Sequence, residues 1–368
     1  MQSEANLLLQ ALKQPECLLS LKPTEWGEVV RQAKWTGLIA RLHALLDERG
    51  LVNKIPARAK AHLVAARAIA NNEERILRWE VNRIQQAFRD SAIPLLLLKG
   101  AAYIMMELPF AKGRISSDVD VLLRKEQLKV AERSLLEQGW APTKLDDYDQ
   151  YFYRTWSHEL PPFRHRERGT VIDVHHTILP PTGRLHPDPE KLLTAAVKLK
   201  GTDLRVLAPA DMVLHSAAHA FQDGDLKAGL RELLDLDGLI RHFGSDPQFW
   251  KMLLPRADEL QLSRPLYYAL RYTKGVLNTP IPADVLKASQ QSRPRWPALV
   301  IMDRLVTDVL RPQPLRGEGF AAGFSAGMLY ARSHWLRMPP WLLAQHLLRK
   351  LFTGRRPTDG SETGQVTK

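Results

Sequence analysis

PLLLLKGAAYIMMELPFAKGRISSDVDVLL, residues 94–123, is the stretch on which the fold turns. It reads as a short apolar strand, a Lys99-Gly100 turn, a helix, a loop carrying Gly113-Arg114, and a second strand holding Asp118 and Asp120. Side chains alternate along a strand, so the two aspartates share one face while Val119, Val121 and Leu123 point into a core. Like charges side by side repel, and the arrangement is tolerated where a cation or strong donors compensate. About fifty residues on, GTVIDVHHTI repeats the design with Asp173 and His175 on one strand face. Three carboxylates able to converge outline a Mg2+ site. The flanking VDVLL and LLLLKG are too apolar for an exposed sheet edge, which favours a site over a surface strand.

The chain has 368 residues, 45% apolar and 25% charged, as in an ordinary globular protein of two or three packed units. No stretch approaches the roughly 20 apolar residues of a membrane span. The single cysteine, Cys17, excludes an internal disulfide. With no basic-apolar leader in MQSEANLLLQALKQ, the expectation is a cytoplasmic protein. A net charge of +12 permits phosphate, nucleic acid or an anionic membrane as partner and does not choose among them.

Outward from the central stretch, residues 1–92 read as a helical N-terminal unit without chemistry of its own. A long helix opens at Pro56, in which Leu77, Val81, Ile84 and Phe88 recur at helical spacing. Residues 93–180 form the α/β core: a helix over 125–138, a strand over 140–144, and a hairpin-like pair formed by 151–168 and Val171–Thr177. Arg164, Arg166 and Arg168 fall on alternate positions, either a solvated edge or a basic rim for phosphates. Pro180-Pro181 marks a boundary, and 181–353 reads as a helical C-terminal unit closing the cleft. Within it, His215 and His219 share a helix face without the glutamate of a zinc protease. Arg231 and Asp235 have the spacing of a helical ion pair. The Gly-rich 317–328 lacks a phosphate-loop spacing and reads as a turn. Residues 354–368 read as a disordered tail ending a basic C-terminus.

LLKG, then GRISSDVDVLL, then IDVHH resembles the nucleotidyltransferase superfamily typified by DNA polymerase β, and within it a bacterial nucleotidyltransferase family. WGEVVRQAKWTGLIARLHALL upstream, and ADMVLHSAAHAF with LRELLDLDGL downstream, extend the likeness to roughly residues 5–350. The resemblance implies an α+β fold: a polymerase β-like core, small mixed sheet with helices, flanked by N- and C-terminal helical units. It implies a metal-dependent enzyme moving a nucleoside monophosphate from an NTP such as ATP to an acceptor hydroxyl, releasing pyrophosphate. In that reading Asp118 and Asp120 bridge two Mg2+ (or Mn2+) ions and Asp173 holds the one that activates the acceptor. Lys99 and Gly100 would approach the triphosphate, with Ala101 where the wider superfamily carries a hydroxyl. Lysine snorkelling at a strand end is the alternative for Lys99. Arg114 would steady phosphates or pair with the acidic cluster, His175 would contact substrate or orient Asp173, and His219 would line the cleft.

Two rivals stay open. One is a toxin-like or regulatory nucleotidyltransferase acting on tRNA or protein. The other is a non-catalytic nucleotide-binding scaffold, against which the presence of all three carboxylates argues. The acceptor is an unspecified small molecule, envelope sugar, RNA or protein. In 336–352, Trp341, Leu342, Leu343, Leu347, Leu348, Leu351 and Phe352 form an apolar stripe ending in basic residues. It either packs on its own unit or makes peripheral membrane contact.

Overall fold

The computed structural model describes residues 6–143, 147–223, 226, 229–311 and 319–345. Four helices lead: α1 (Leu7–Lys13), α2 (Pro23–Trp35), α3 (Ile39–Glu48) and the 31-residue α4 (Ala57–Ala87). The expected stripe of α4 is buried at Leu77, Val81 and Ile84, and Phe88 caps the helix within the core. At 1.5 Å per residue such a helix runs about 46 Å. It packs against the Asp118–Leu122 strand of the sheet and against α3 and two further helices of the core.

The sheet begins with β1 (Leu96–Leu97), followed by α5 (Lys99–Met105), β2 (Asp118–Leu122), α6 (Leu128–Glu137) and β3 (Trp140–Pro142). Helix α7 (Asp147–Trp156), β4 (Phe163–His165) and β5 (Val171–His175) come next. Beyond a short α8 (Pro189–Ala195), β6 (Val197–Lys198) and β7 (Arg205–Val206) add two more strands after residue 180. The spatial order is β3-β4-β5-β2-β1-β7-β6. The central pair β2 and β5 is parallel, with Asp120 opposite Asp173 and Asp118 opposite Val171. Val119, Val121 and Leu123 are buried, as the alternation requires.

Two local expectations are corrected. Residues 151–156 are helical, not part of a hairpin. Phe152 and Trp156, one turn apart, set their rings 5.8 Å from each other, so the aromatics follow a 3.6-residue period rather than strand alternation. The Gly-rich segment from 319 is the start of a 19-residue helix rather than a turn. A Cβ at Gly323 or Gly327 would meet open space, so those glycines leave the helix unobstructed.

The C-terminal helices are α9 (Pro209–Ala218), α10 (Gly229–Phe243), α11 (Pro247–Glu259), α12 (Ser263–Leu277), α13 (Ala283–Ser289), α14 (Trp296–Val309) and α15 (Gly319–Arg337). Helix α9 is drawn out by a π-helical turn, His219–Asp223. One hydrophobic cluster runs from Leu8 through the sheet to Leu329. No helix among the described residues is long and apolar enough to cross a membrane. Of the C-terminal stripe, Leu342 is buried and Trp341 exposed against the edge of Trp156. Leu347, Leu348, Leu351, Phe352 and the tail 354–368 lie outside the described residues.

The N-terminal unit also contributes charge, against expectation. Arg41 of α3 donates to Asp235 of α10 at 2.8 Å, and Arg114 donates to the other oxygen of Asp235 at 3.0 Å. All three side chains are at least nine-tenths buried. Asp235 therefore spends its oxygens on two distant arginines, and the helical pair with Arg231 gives way to them. Burial alone would push its carboxyl up, but Arg114 and then Arg41 hold it below the usual aspartate range. Gly113, at φ +78°, seats its α-carbon on the backbone of Ala40 and Arg41, where any Cβ would collide. Removing the shared acceptor strands two buried guanidinium groups. Asp235→Ala is expected to lower unfolding free energy by about 3–5 kcal/mol in urea denaturation, and a change under about 1 kcal/mol would reject this account.

Candidate active site

Lys99 and the aspartates are delivered by three pieces of the sheet: the end of β1, β2 and β5. Lys99 stands two residues beyond the end of β1, with φ at +42°, an uncommon conformation for a non-glycine residue. The chain turns sharply there into α5, and the Lys99 ammonium donates to Asp120 Oδ1 at 2.8 Å. Gly100 follows with no room for a Cβ, because Ser116 Oγ and the Arg114 guanidinium occupy that space. Strand β2 presents Asp118 half-buried and Asp120 buried. Strand β5 presents Asp173 and His175 on the same face, and His175 Nε2 lies 3.0 Å from Asp120 Oδ1.

The electrostatics follow from crowding. Burial, then the charges of Asp120 and Asp118, push the Asp173 carboxyl up to about 7. Burial and Asp120 likewise raise Asp118. Burial works in the same direction on Asp120, but the charge of Lys99 and the hydrogen bond and charge of His175 outweigh it and keep this carboxylate ionised. Asp120 in turn holds Lys99 protonated despite burial. Lys99 is thus neither a snorkelling side chain nor a group aimed only at substrate. It supplies the positive charge closest to the acidic face.

A cleft of about 160 Å³ opens in front of this face, lined by Lys99, Gly100, Arg114, Asp118, Asp120 and His219 together with Tyr103, Arg231 and Asp235. Six of the eight expected site residues line one cavity, while Asp173, beside Asp120 on the neighbouring strand, and His175 do not. Arg114 resolves as a partner of Asp235 and Ser116, stacked over Tyr103, rather than of the acidic cluster. Arg168, expected on a rim, forms a bidentate pair with buried Glu80 of α4 at 2.6 and 3.0 Å, between Trp79 and Trp140. Arg164 and Arg166 remain exposed.

A hard divalent cation fits the oxygen-only donors of Asp118, Asp120 and Asp173. Asp173 Oδ1 is buried without a hydrogen-bond partner, and a cation on this face would offset the repulsion that raises Asp118 and Asp173. The three aspartates share a face without closing into one coordination sphere by themselves. Among the described residues, the group whose ligand atoms all lie within 4.8 Å of one another is His158, Glu159 and His175. His158 and Glu159 escaped the sequence reading. The only signal was the pair's place in SHEL, just before Leu160 joins β5.

The model of a family described as uncharacterised nucleotidyltransferases matches residues 22–278, more than half of the chain. The chain belongs to that family. As a nucleotidyltransferase it is a transferase of phosphorus-containing groups, and enzymes of this kind typically use divalent metals. Comparisons with curated proteins and with solved structures returned no match.

The raised carboxyl of Asp173 makes a stability prediction for the nucleotidyltransferase in chelator. Between the ordinary aspartate pKa near 3.9 and about 7, the folded state keeps a proton that the unfolded chain has released. Asp173 therefore costs increasing stability as pH rises through that window. Buried His158 and His215, held well below the usual histidine range by burial and neighbouring cations, act in the opposite sense. The difference between the natural protein and Asp173→Asn removes their contribution. Denaturation at pH 5 and pH 7.5 should show Asp173→Asn gaining relative stability at the higher pH, and a pH-independent difference contradicts the assignment.

Proposed function

We propose that the protein is a metal-dependent nucleotidyltransferase that moves a nucleoside monophosphate from an NTP to an acceptor hydroxyl. The observation that carries this reading is the shared face of Asp118, Asp120 and Asp173 on two parallel strands in register, with Asp118 and Asp120 lining a cleft edged by Lys99. Asp118, Asp120 and Asp173 would hold Mg2+ or Mn2+. The ion supplies charge to the phosphate oxygens and acidifies the acceptor hydroxyl.

The chain's own groups have separable tasks. Lys99 keeps two ammonium hydrogens beyond the one given to Asp120 and can offer them to the triphosphate. Arg114, fixed by Asp235 and Ser116, shapes the cleft wall and adds positive potential without being free to follow the substrate. The acceptor oxygen bonds to the α-phosphorus, the bond to the bridging oxygen breaks, and pyrophosphate carries away that electron pair. Asp173 Oδ1, buried and unpartnered, can take the acceptor's proton. At about 160 Å³ the cleft is smaller than the roughly 300–1,000 Å³ of pockets that enclose whole small molecules. It suits the phosphate chain, with sugar and base toward the rim.

Incubating the protein with each labelled NTP, Mg2+ or Mn2+ and cell extract tests the proposal, read as label transferred to an acceptor. Asp118→Asn and Asp120→Asn should each abolish transfer, the first melting normally and the second at a lower temperature because it leaves Lys99 without its carboxylate, and wild-type turnover in both would falsify the site. Lys99→Ala should weaken binding of a non-hydrolysable NTP analogue by about 1.5–3 kcal/mol. Unchanged affinity would leave Lys99 the single task of neutralising Asp120.

A further inference from the structure

We propose that His158, Glu159 and His175 form a second metal site, for one zinc-type divalent transition ion, distinct from the oxygen-only face of the three aspartates. Residues 158–160 run antiparallel to the end of β5. Glu159 bridges to His175, Leu160 N–H donates to Val174 O, and His176 N–H donates to His158 O. This short pairing lays the His158 and Glu159 side chains against His175. Glu159 Oε2 lies 3.4 Å from His175 Nδ1 and 3.9 Å from His158 Nε2. Ligands about 2.0–2.1 Å from a tetrahedral zinc stand about 3.3 Å from one another, close to the two Glu159 distances, and all three ligand atoms lie within 4.8 Å of one another.

The hydrogen bonding points the same way. Asp120 Oδ1 lies 3.0 Å from His175 Nε2 and takes that nitrogen's hydrogen, which turns Nδ1 toward Glu159 Oε2. An ion seated there would bind Nδ1 and Oε2 together. Asp120 takes the place of the outer carboxylate that commonly orients a metal-bound histidine. As an independent sign, His158 Nδ1 is buried with no hydrogen-bond partner. Two imidazoles and one carboxylate are a ligand set that suits zinc and leaves a fourth position open, whereas three carboxylates suit magnesium. Glu159 keeps 19% of its side-chain surface exposed, so an ion can reach the site from solvent. These residues stand on their own geometry, whatever the outcome of the transfer assay.

The test uses the full chain, stripped with chelator and titrated with Co2+ and Zn2+. About one Co2+ per chain should bind with the visible absorption of a low-symmetry nitrogen-oxygen site, and Zn2+ should displace it and raise the melting temperature. His158→Gln and Glu159→Gln should each lower affinity beyond the roughly 100-fold ceiling of outer-shell changes, and Asp120→Asn should lower it by about 10–100-fold. Asp173→Asn should leave it unchanged. His158→Cys, which keeps a ligand, should add a thiolate-to-cobalt charge-transfer band and so reports the site even if the glutamine variant folds poorly. Absence of both a Co2+ spectrum and a zinc-dependent melting shift in the natural protein overturns the proposal, and assigns the extra charge at His175 to a proton. Binding that Asp173→Asn abolishes and His158→Gln leaves intact overturns it as well, by moving the ion to the aspartate face.

Discussion

Like charges forced onto one sheet face set the terms for the rest of the molecule. Asp118, Asp120 and Asp173 stand on adjacent parallel strands, and burial raises the cost of ionising each of them. Among the described residues, Asp120 is the one of the three with direct ion pairs, to Lys99 at 2.8 Å and His175 at 3.0 Å. That compensation dictates architecture. Lys99 reaches Asp120 only because the chain turns through a left-handed residue straight after β1. His175 reaches it only because β5 lies parallel to β2 and in register with it. The aspartates left uncompensated are those whose oxygens remain available to a cation or a proton.

The flanking units hold this face in place more than they stabilise it. Asp235 gathers Arg41 from the N-terminal helices and Arg114 from the loop before β2, while sitting on a C-terminal helix. Buried ion pairs of this kind add little net stability over well-packed apolar side chains, yet breaking one is expensive. Their effect here is geometric, because three sequence-distant segments must meet within hydrogen-bonding distance for any of the charges to be tolerated. Gly113, pressed against α3, and Gly100, pressed against Ser116 and Arg114, fix the same loop from two sides.

The acidic face was legible because strand alternation is a local rule. Given DVDVLL and IDVHH, the shared facing of Asp118 with Asp120, and of Asp173 with His175, needs no tertiary information. Partners chosen across the fold were not legible. Arg41 and Asp235 are 194 residues apart, and Arg168 and Glu80 are 88 apart, so no spacing announces either pair. Tyr151–Trp156 misled because alternating aromatic and basic residues satisfy a strand pattern, while their ring contacts form at helical spacing. The helix from Gly319 ran against glycine's weak helix propensity and is held instead by packing, with Ser325 donating to Asp308 of α14. His158 and Glu159 carried no periodic mark, since their meeting with His175 depends on where a three-residue segment docks.

The unbroken hydrophobic cluster from Leu8 to Leu329 bears on how the molecule can move. Rigid-body closure needs a seam where few apolar contacts cross, and here the core runs through all the helical layers and the sheet without one. Admission to the cleft is then a matter of local loosening rather than of jaws swinging shut. The π-helical turn beginning at His219, on the cleft wall, is the natural place for it. A π turn inserts one residue into a helix and weakens its hydrogen-bond ladder locally. Its His219 end borders the cleft, while Ala220, Phe221 and Gln222 are buried and Arg332 donates to the Phe221 carbonyl, so yielding is confined to the cleft end of the turn.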